Sequence, residues 1–317
     1  MTEPLALPPC EPGGPDPGAV TASIAAWITS AAMRDLVGHF GGEVPAGPVH
    51  ATLDQVAEFS KVWDFRAGTK ERFDTARVGY GADDARIRAL IHTLGLGGTA
   101  PARDRYDHVV ILGGGIRVTL GRAGYTARLL EGGLSAGTVA GLGSLRHRDD
   151  REHREGIRLG LGALETEADM MTAALRRFLN LPEPVQTRTG DGWWHQIWPQ
   201  SLPQSLPRPA VHVLAAASTR PPLRASTACS LLGWVEHVHT PAPADRILLV
   251  TNDPYVRFQH CDAIRLLGQV YGCGIETIGM DELATTEWGR PLATTELLQE
   301  VRSSIIAMRN LYQAFQK

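Results

Sequence analysis

The chain has 317 residues, 43% hydrophobic and 21% charged, enough for one large globular core or two small ones. A formal net charge of −3 gives no overall pull toward nucleic acid or an anionic membrane surface, and no apolar run is long enough to span a bilayer. Four cysteines, Cys10, Cys229, Cys261 and Cys273, lack a C-x-x-C pairing and read as reduced thiols. With no basic, apolar leader at the N-terminus, the expected compartment is the cytoplasm.

Residues 1–19 are dominated by proline and glycine and are expected to be a disordered tail. Residues 20–105 read as a helical region. Apolar side chains recur at helical spacing in Ile24, Trp27 and Ile28, and again in Leu53, Val56 and Phe59. A third helix is predicted from Asp83 to Leu94, ending before Gly95. The aromatic and charged run at 62–73 has two readings: a helix–loop junction with solvated charges, or Arg66, Lys70 and Arg72 at the mouth of a site.

From residue 106 the pattern alternates between strand and helix. Strands are predicted at 108–112, 137–141, 211–215, 246–251 and 274–278, because these runs are short, β-branched and bounded by turn residues. Helices are predicted at about 123–131, 165–179, 226–237 and 256–267. Such alternation gives a mainly parallel sheet covered on both faces. The expected fold class is therefore α/β, a Rossmann-like three-layer sandwich over 106–280 with a helical N-terminal cap. A C-terminal helix, about 295–315 within segment 281–317, packs on that domain. Residues 182–209 interrupt the alternation with prolines and the cluster Trp193, Trp194 and Trp198. This excursion is a lid, a binding loop or disorder, and its tryptophans either pack as a satellite core or stack on a planar ligand.

The most informative stretch is the first strand with the turn at its carboxyl end. Val109–Leu112 runs into Gly113, Gly114 and Gly115, and Arg117 and Arg122 come next. Glycines at the carboxyl end of a strand let backbone N–H groups approach a ligand closely, and arginines add positive charge. The run is not a dinucleotide fingerprint. Val118 stands where a third glycine belongs, and the second strand ends in Gly141-Leu142-Gly143-Ser144 without the acidic residue that would hold a ribose. This speaks against NAD.

The other strand ends are also small or polar and together predict a crevice at the carboxyl edge of the sheet. Gly141 and Ser144, Ser218-Thr219-Arg220, and Asn252-Asp253-Pro254-Tyr255 with Arg257 are the candidate ligand contacts. Asp253 is placed as a base or a hydroxyl binder, or else as a helix N-cap before proline. Arg257 faces either ligand or solvent. The run 146–156 reads as a solvated loop, with Arg146 or His147 as an alternative phosphate contact. No G-x-S-x-G elbow is present. His237 and His239 have no further ligands at metal spacing, so no metal site is expected.

The segments Val109–Gly115, Ala140–Ser144, Glu165–Met171 and Ile247–Arg257 follow one another in an order that resembles the SanA, ElyC and YdcF family over residues 106–280. The resemblance implies a Rossmann-like fold, raises Glu167 to a site residue, and implies S-adenosylmethionine as a ligand of the YdcF-like members. The chain departs from the family's Ser-x-x-Thr-x-Glu-Asn segment, having Pro221, Leu223 and Arg224 after Ser218, and has Tyr255 where the family often has histidine.

These readings converge on an enzyme acting on a small anionic, nucleotide-like metabolite, with Asp253 and Glu167 as catalytic groups and Gly113–Gly115 and Arg117 as the anion site. The alternatives are a non-catalytic sensor of S-adenosylmethionine or a nucleotide, and a scaffold in envelope or secondary-metabolite assembly.

Overall fold

Asp16 and Ser30 start the first two helices by the same device. Each side chain accepts a hydrogen bond from a first-turn backbone N–H, of Ala19 and Met33 respectively, which satisfies a donor that the helix itself leaves open. The computed structural model describes residues 4–65, 78–97, 100–162, 164–200, 209–221, 225–280, 288 and 291–316. The cap consists of α1 (Pro17–Ile28), α2 (Ala31–His39), α3 (Val49–Phe59) with a 3-10 turn at Ser60–Trp63, and α4 (Asp84–Thr93). Arg66, Lys70 and Arg72 lie outside the described residues.

The α/β part follows as β1 (Arg105–Ile111), α5 (Ile116–Glu131), β2 (Ser135–Ser144), α6 (Asp150–Arg158) and α7 (Glu167–Leu179). A hairpin of β3 (Gln186–Gly190) and β4 (Trp193–Trp198) precedes β5 (Ala210–Ala216) and α8 (Thr227–His237). Then come β6 (Arg246–Asn252), α9 (Val256–Ala263), a π turn at Ile264–Gly268, α10 (Gln269–Tyr271), β7 (Gly274–Met280) and α11 (Thr294–Ala314). All five predicted strands are present. α5 starts at Ile116 rather than near Ala123, so the glycine run feeds directly into the helix.

The seven strands are ordered β3-β4-β5-β2-β1-β6-β7. β5, β2, β1, β6 and β7 are parallel, and β4 joins the edge at β5 antiparallel. The fold is thus a Rossmann-like α/β sandwich. Its strand order reverses at β1: α5 leads outward to β2, whereas β6 and β7 lie on the other side. Right-handed crossovers in opposite directions place the connecting helices on opposite faces. Val109, Ile111, Leu248 and Val250 accordingly face α5 and α7, while Val110, Leu112, Ile247 and Leu249 face α8, α9 and α11.

The second face also carries the cap. α11 packs on α9 and against α1, α3 and α4, so one continuous core runs from the sheet into the cap. Among the described residues no helix is long and apolar enough to cross a membrane.

Three expectations are corrected. The described part of the N-terminal tail, residues 4–16, is ordered. Arg257 donates to the carbonyls of Leu5 and Ala6, and a His260 ring N–H donates to the carbonyl of Pro8 at 2.8 Å. Ile275 N–H donates to the Cys10 carbonyl at 2.8 Å, which pins the tail to β7. A proline-rich segment lacks N–H donors but keeps its carbonyls, and two buried cation-type side chains use them. Arg257 is therefore a tail anchor beside the Trp27 ring, 5.4 Å from its centroid, and not a ligand contact. Within the excursion at 182–209, residues 186–198 form a hairpin added to the sheet edge, and residues 201–208 lie outside the described residues. Trp198 is buried and donates to the Pro182 carbonyl, and Trp193 stacks on His237 at 3.9 Å.

Arg257→Ala is expected to lower unfolding stability by about 2–4 kcal/mol in urea titration, since charge-assisted bonds from a buried guanidinium to two tail carbonyls are lost. It should also speed proteolysis within residues 1–15. Unchanged tail cleavage would refute the anchor. Burial pushes His260 from 6.5 down to about 4. The folded state therefore takes up this proton later than the unfolded state. Its stabilising contribution is present above pH 6.5 and is lost as pH falls toward 4. In that window stability should fall with a slope of about 1.4 kcal/mol per pH unit from this group. The slope should be shallower in His260→Gln, as read from urea midpoints.

Candidate functional site

At the carboxyl edge of the sheet, where strand order reverses between β1 and β6, the structure opens a crevice of about 700 Å³. Brackets of loop and helix surround it: Gly113–Val118 from the β1–α5 turn, Arg146–Glu155 from the β2–α6 connection and α6, and Ser226–Ala228 at the start of α8. Tyr255, Phe258 and Gln259 contribute from the β6–α9 side.

Gly113 is required by close approach. A Cβ on Gly113 would lie 2.5 Å from the Leu142 carbonyl oxygen and 2.6 Å from Glu167 Oε1. Gly115 is the N-cap of α5 in extended conformation, no side chain caps this helix, and its first turn holds no acidic residue. The first-turn N–H groups of a 16-residue helix thus meet the crevice with their partial positive charge uncompensated by a carboxylate of that turn. α8 also enters without acidic residues in its first turn, but Ser226 caps it.

Glu167 stands opposite Gly113. Its carboxylate accepts from Ser144 Oγ at 2.5 Å and lies 3.8 Å from Arg146 Nε. Arg146 holds Glu152 in a two-pronged pair, both distances 2.8 Å. Arg117 is half exposed on the first turn of α5 and pairs with Glu155 at 2.7 Å. The Arg158 hydrogen bond, with burial opposing it and Arg117 assisting, holds Glu155 down to about 2. Tyr255 and Phe258 meet edge to face, centroids 6.1 Å apart, and form an aromatic wall.

Of the sequence-predicted residues, Gly113, Gly114, Gly115, Arg117, Arg122, Glu167, Arg220 and Tyr255 line the crevice. Ser144 reaches it through Glu167. Arg122 is fully buried and forms part of the floor. Its Nη1 donates to the carbonyls of Leu112 and Gly113 at 2.6 and 2.7 Å, and its Nε donates to Asn252 Oδ1 at 2.6 Å.

Five predicted contacts stand elsewhere, besides Arg257. Gly141 lies under α7, where a Cβ would meet Met171 at 2.5 Å. Asn252 is buried behind the floor, and Ser218 and Thr219 serve the β5–α8 turn. Asp253 opens the 3-10 turn Asp253–Tyr255, and its carboxylate sits over Gly279, outside the crevice lining.

Several lining residues were not legible as such. Arg146 lines the crevice as the alternative reading of the run 146–156 allowed, whereas Asp149 and Glu152 come from the same run read as a solvated loop. The signal available there was the Asp149–Glu152 capping box. Gln259, Asp262 and Glu296 had no signal at all, because only packing brings α9 and α11 to the site.

Cys229 is the third residue of α8, beside the lining residues Thr227 and Ala228. Burial pushes its thiol up, but Ser226 Oγ and Thr219 Oγ1, each 3.3 Å from Sγ, bring it down to about 7. Burial holds Cys10 near 11 and Cys261 and Cys273 near 12. Iodoacetamide at neutral pH, followed by peptide mass spectrometry, should label Cys229 first, with a midpoint near pH 7 that rises in Ser226→Ala. Labelling of Cys229 no faster than Cys261 would contradict this.

Comparison with known proteins places the chain beside mycobacterial relatives. Residues 11–95 match the family model described as the Rv3785 N-terminal domain. The chain is 28% identical to uncharacterized protein Rv3785 of Mycobacterium tuberculosis strain H37Rv, over 95% of this chain and 92% of the relative. Uncharacterized protein Mb3814 of Mycobacterium bovis is similar to the same extent. No solved structure matches the chain. The chain is thus similar to Rv3785 along nearly its whole length, through both the cap and the sheet.

Proposed function

We propose that the crevice binds a small anionic, nucleotide-like metabolite and that the protein is an enzyme acting on it, with Glu167 as the acid–base group. One observation carries this reading: the uncapped N-terminus of α5, entered through Gly113–Gly115 and bearing Arg117, opens into the crevice at the switch point of the sheet. Backbone N–H groups and a helix dipole there favour a phosphate or carboxylate.

The rest of the lining suits a ligand with more than one kind of group. Among the described residues, five arginines and six carboxylates line the crevice, so their net charge is near zero and the lining is no simple anion trap. The anionic moiety belongs at α5. Hydroxyl or amino groups fit the carboxylates, and a planar base fits Tyr255 and Phe258. A nucleotide and S-adenosylmethionine both have this mixture, and the resemblance to the SanA, ElyC and YdcF family points the same way. Glu167 is favoured over Asp253 because it lines the crevice facing the glycine turn, whereas Asp253 does not.

A second reading, a non-catalytic sensor, is favoured by the Ser218–Arg224 segment, where Pro221 and Leu223 replace polar positions of that family.

Thermal-shift titration with ATP, inorganic pyrophosphate and S-adenosylmethionine tests the site. A ligand at about 100 times its Kd adds about 2.7 kcal/mol of stability. One of these compounds should raise Tm of the native chain, and Arg117→Ala should reduce the shift at equal concentration. Glu167→Gln should keep binding and lose turnover, followed by mass spectrometry of the ligand. A shift untouched by Arg117→Ala would sink the assignment, and binding without product in the native protein would favour the sensor.

A further inference from the structure

The end of the sheet opposite the crevice gathers histidines from distant parts of the chain. His108 is the middle residue of β1, His239 lies just beyond α8, and Asp245 just before β6. His108 Nε2 is 3.4 Å and His239 Nε2 is 3.1 Å from the same oxygen, Asp245 Oδ2. The two imidazole rings lie with centroids 4.0 Å apart, and the three ligand atoms all fall within 4.8 Å of one another.

We infer that His108, His239 and Asp245 form a binding site for one divalent transition-metal ion of the zinc class. The spacing fits. Ligand atoms held tetrahedrally at about 2.0–2.1 Å from zinc stand about 3.4 Å apart. Two imidazole nitrogens and one carboxylate suit zinc and its neighbours, whereas calcium and magnesium call for oxygen ligands.

The ligands are also oriented by outer partners, as a built site requires. His108 Nδ1 bonds Thr138 Oγ1 at 2.8 Å, which turns Nε2 toward Asp245. Ala242 N–H donates to Asp245 Oδ2 at 2.7 Å and fixes the carboxylate at the end of its turn. The Trp234 ring walls the inner side, 5.5 Å from the His108 centroid. The His239 side chain is 38% exposed, so an ion has an entry path and water can take the fourth position.

A plain hydrogen-bonded network is the rival arrangement. Two imidazoles with centroids 4.0 Å apart and planes tilted by 39° cannot both carry charge cheaply beside one carboxylate. In the rival, each neutral ring donates to one oxygen. A bound cation takes the place of those two protons at Nε2, each ring staying neutral with its proton on Nδ1, where that of His108 is donated to Thr138 Oγ1, and ties β1, the end of α8 and the start of β6 together. The site stands apart from the crevice and is independent of the proposed function.

The test uses the untagged full-length chain, stripped with chelator. Zinc titration by calorimetry should give one saturable equivalent and a rise in Tm, and cobalt(II) should give visible absorption bands of low-coordinate geometry. His239→Ala removes a half-exposed ligand and leaves the fold in place. It should weaken zinc binding by more than about tenfold and abolish the cobalt bands. Asp245→Asn, which keeps a carbonyl oxygen for Ala242, should weaken it as well. His212→Gln, in the adjacent His195–His212 pair joined at 3.0 Å, should retain the equivalent. No saturable equivalent in the native chain overturns the inference. So does an equivalent that survives in His239→Ala, or one lost only in His212→Gln, which places the ion in the neighbouring pair.

Discussion

The buried guanidinium of Arg122 ties together the ends of two neighbouring central strands, and the crevice depends on that tie. β1 and β6 pair in parallel through Ile111 and Val250, and beyond this point their chains part to opposite faces. A Rossmann-like sheet must open here, because right-handed crossovers in opposite directions cannot share a face. Arg122 closes the floor of the opening by bonding the carbonyls of Leu112 and Gly113 on one side and Asn252 on the other. Carbonyls that have left the ladder would otherwise be unsatisfied in a dry interior, a cost of about 1–3 kcal/mol each. The same residue read in sequence as a phosphate ligand is thus chiefly a part of the frame that shapes the site.

With the floor fixed, the crevice's character depends on how its charges are paired. Arg146 is engaged with Glu152 and lies near Glu167, and Arg117 is engaged with Glu155. These pairs hold side chains in place and leave a low net field, so selectivity rests on the geometry of the α5 N-terminus and of Glu167 rather than on bulk attraction. The opposite end of the sheet has a different chemistry, in which imidazoles dominate. The two ends are separated by the length of the strands and share no side chain.

The cap is part of the same body as the sheet. One hydrophobic core contains Trp27, Leu53 and Ile91 from the cap, Met308 from α11, and Leu249 from β6. The proline-rich tail closes the arrangement by giving its carbonyls to Arg257 and His260. The family model that matches residues 11–95 therefore covers a segment which, in this structure, buries its apolar face against the C-terminal helix and the sheet domain.

What the sequence determined by itself is local. Short β-branched runs fixed the five parallel strands, and the alternation of Val109, Val110, Ile111 and Leu112 set which side chains face which layer. Gly113–Gly115 marked the turn into α5, and at Gly113 only a residue without a Cβ allows Glu167 and the Leu142 carbonyl to come so close. Tertiary structure decided the rest, because it depends on pairs far apart in the chain. Arg122 and Asn252 are 130 positions apart, and Arg257 and Ala6 are 251 apart. His108, His239 and Asp245 meet only because β1 and β6 are neighbours and α8 ends beside them. Composition and spacing record what each segment can do, but which distant segments touch is settled only when the strand order packs them against one another.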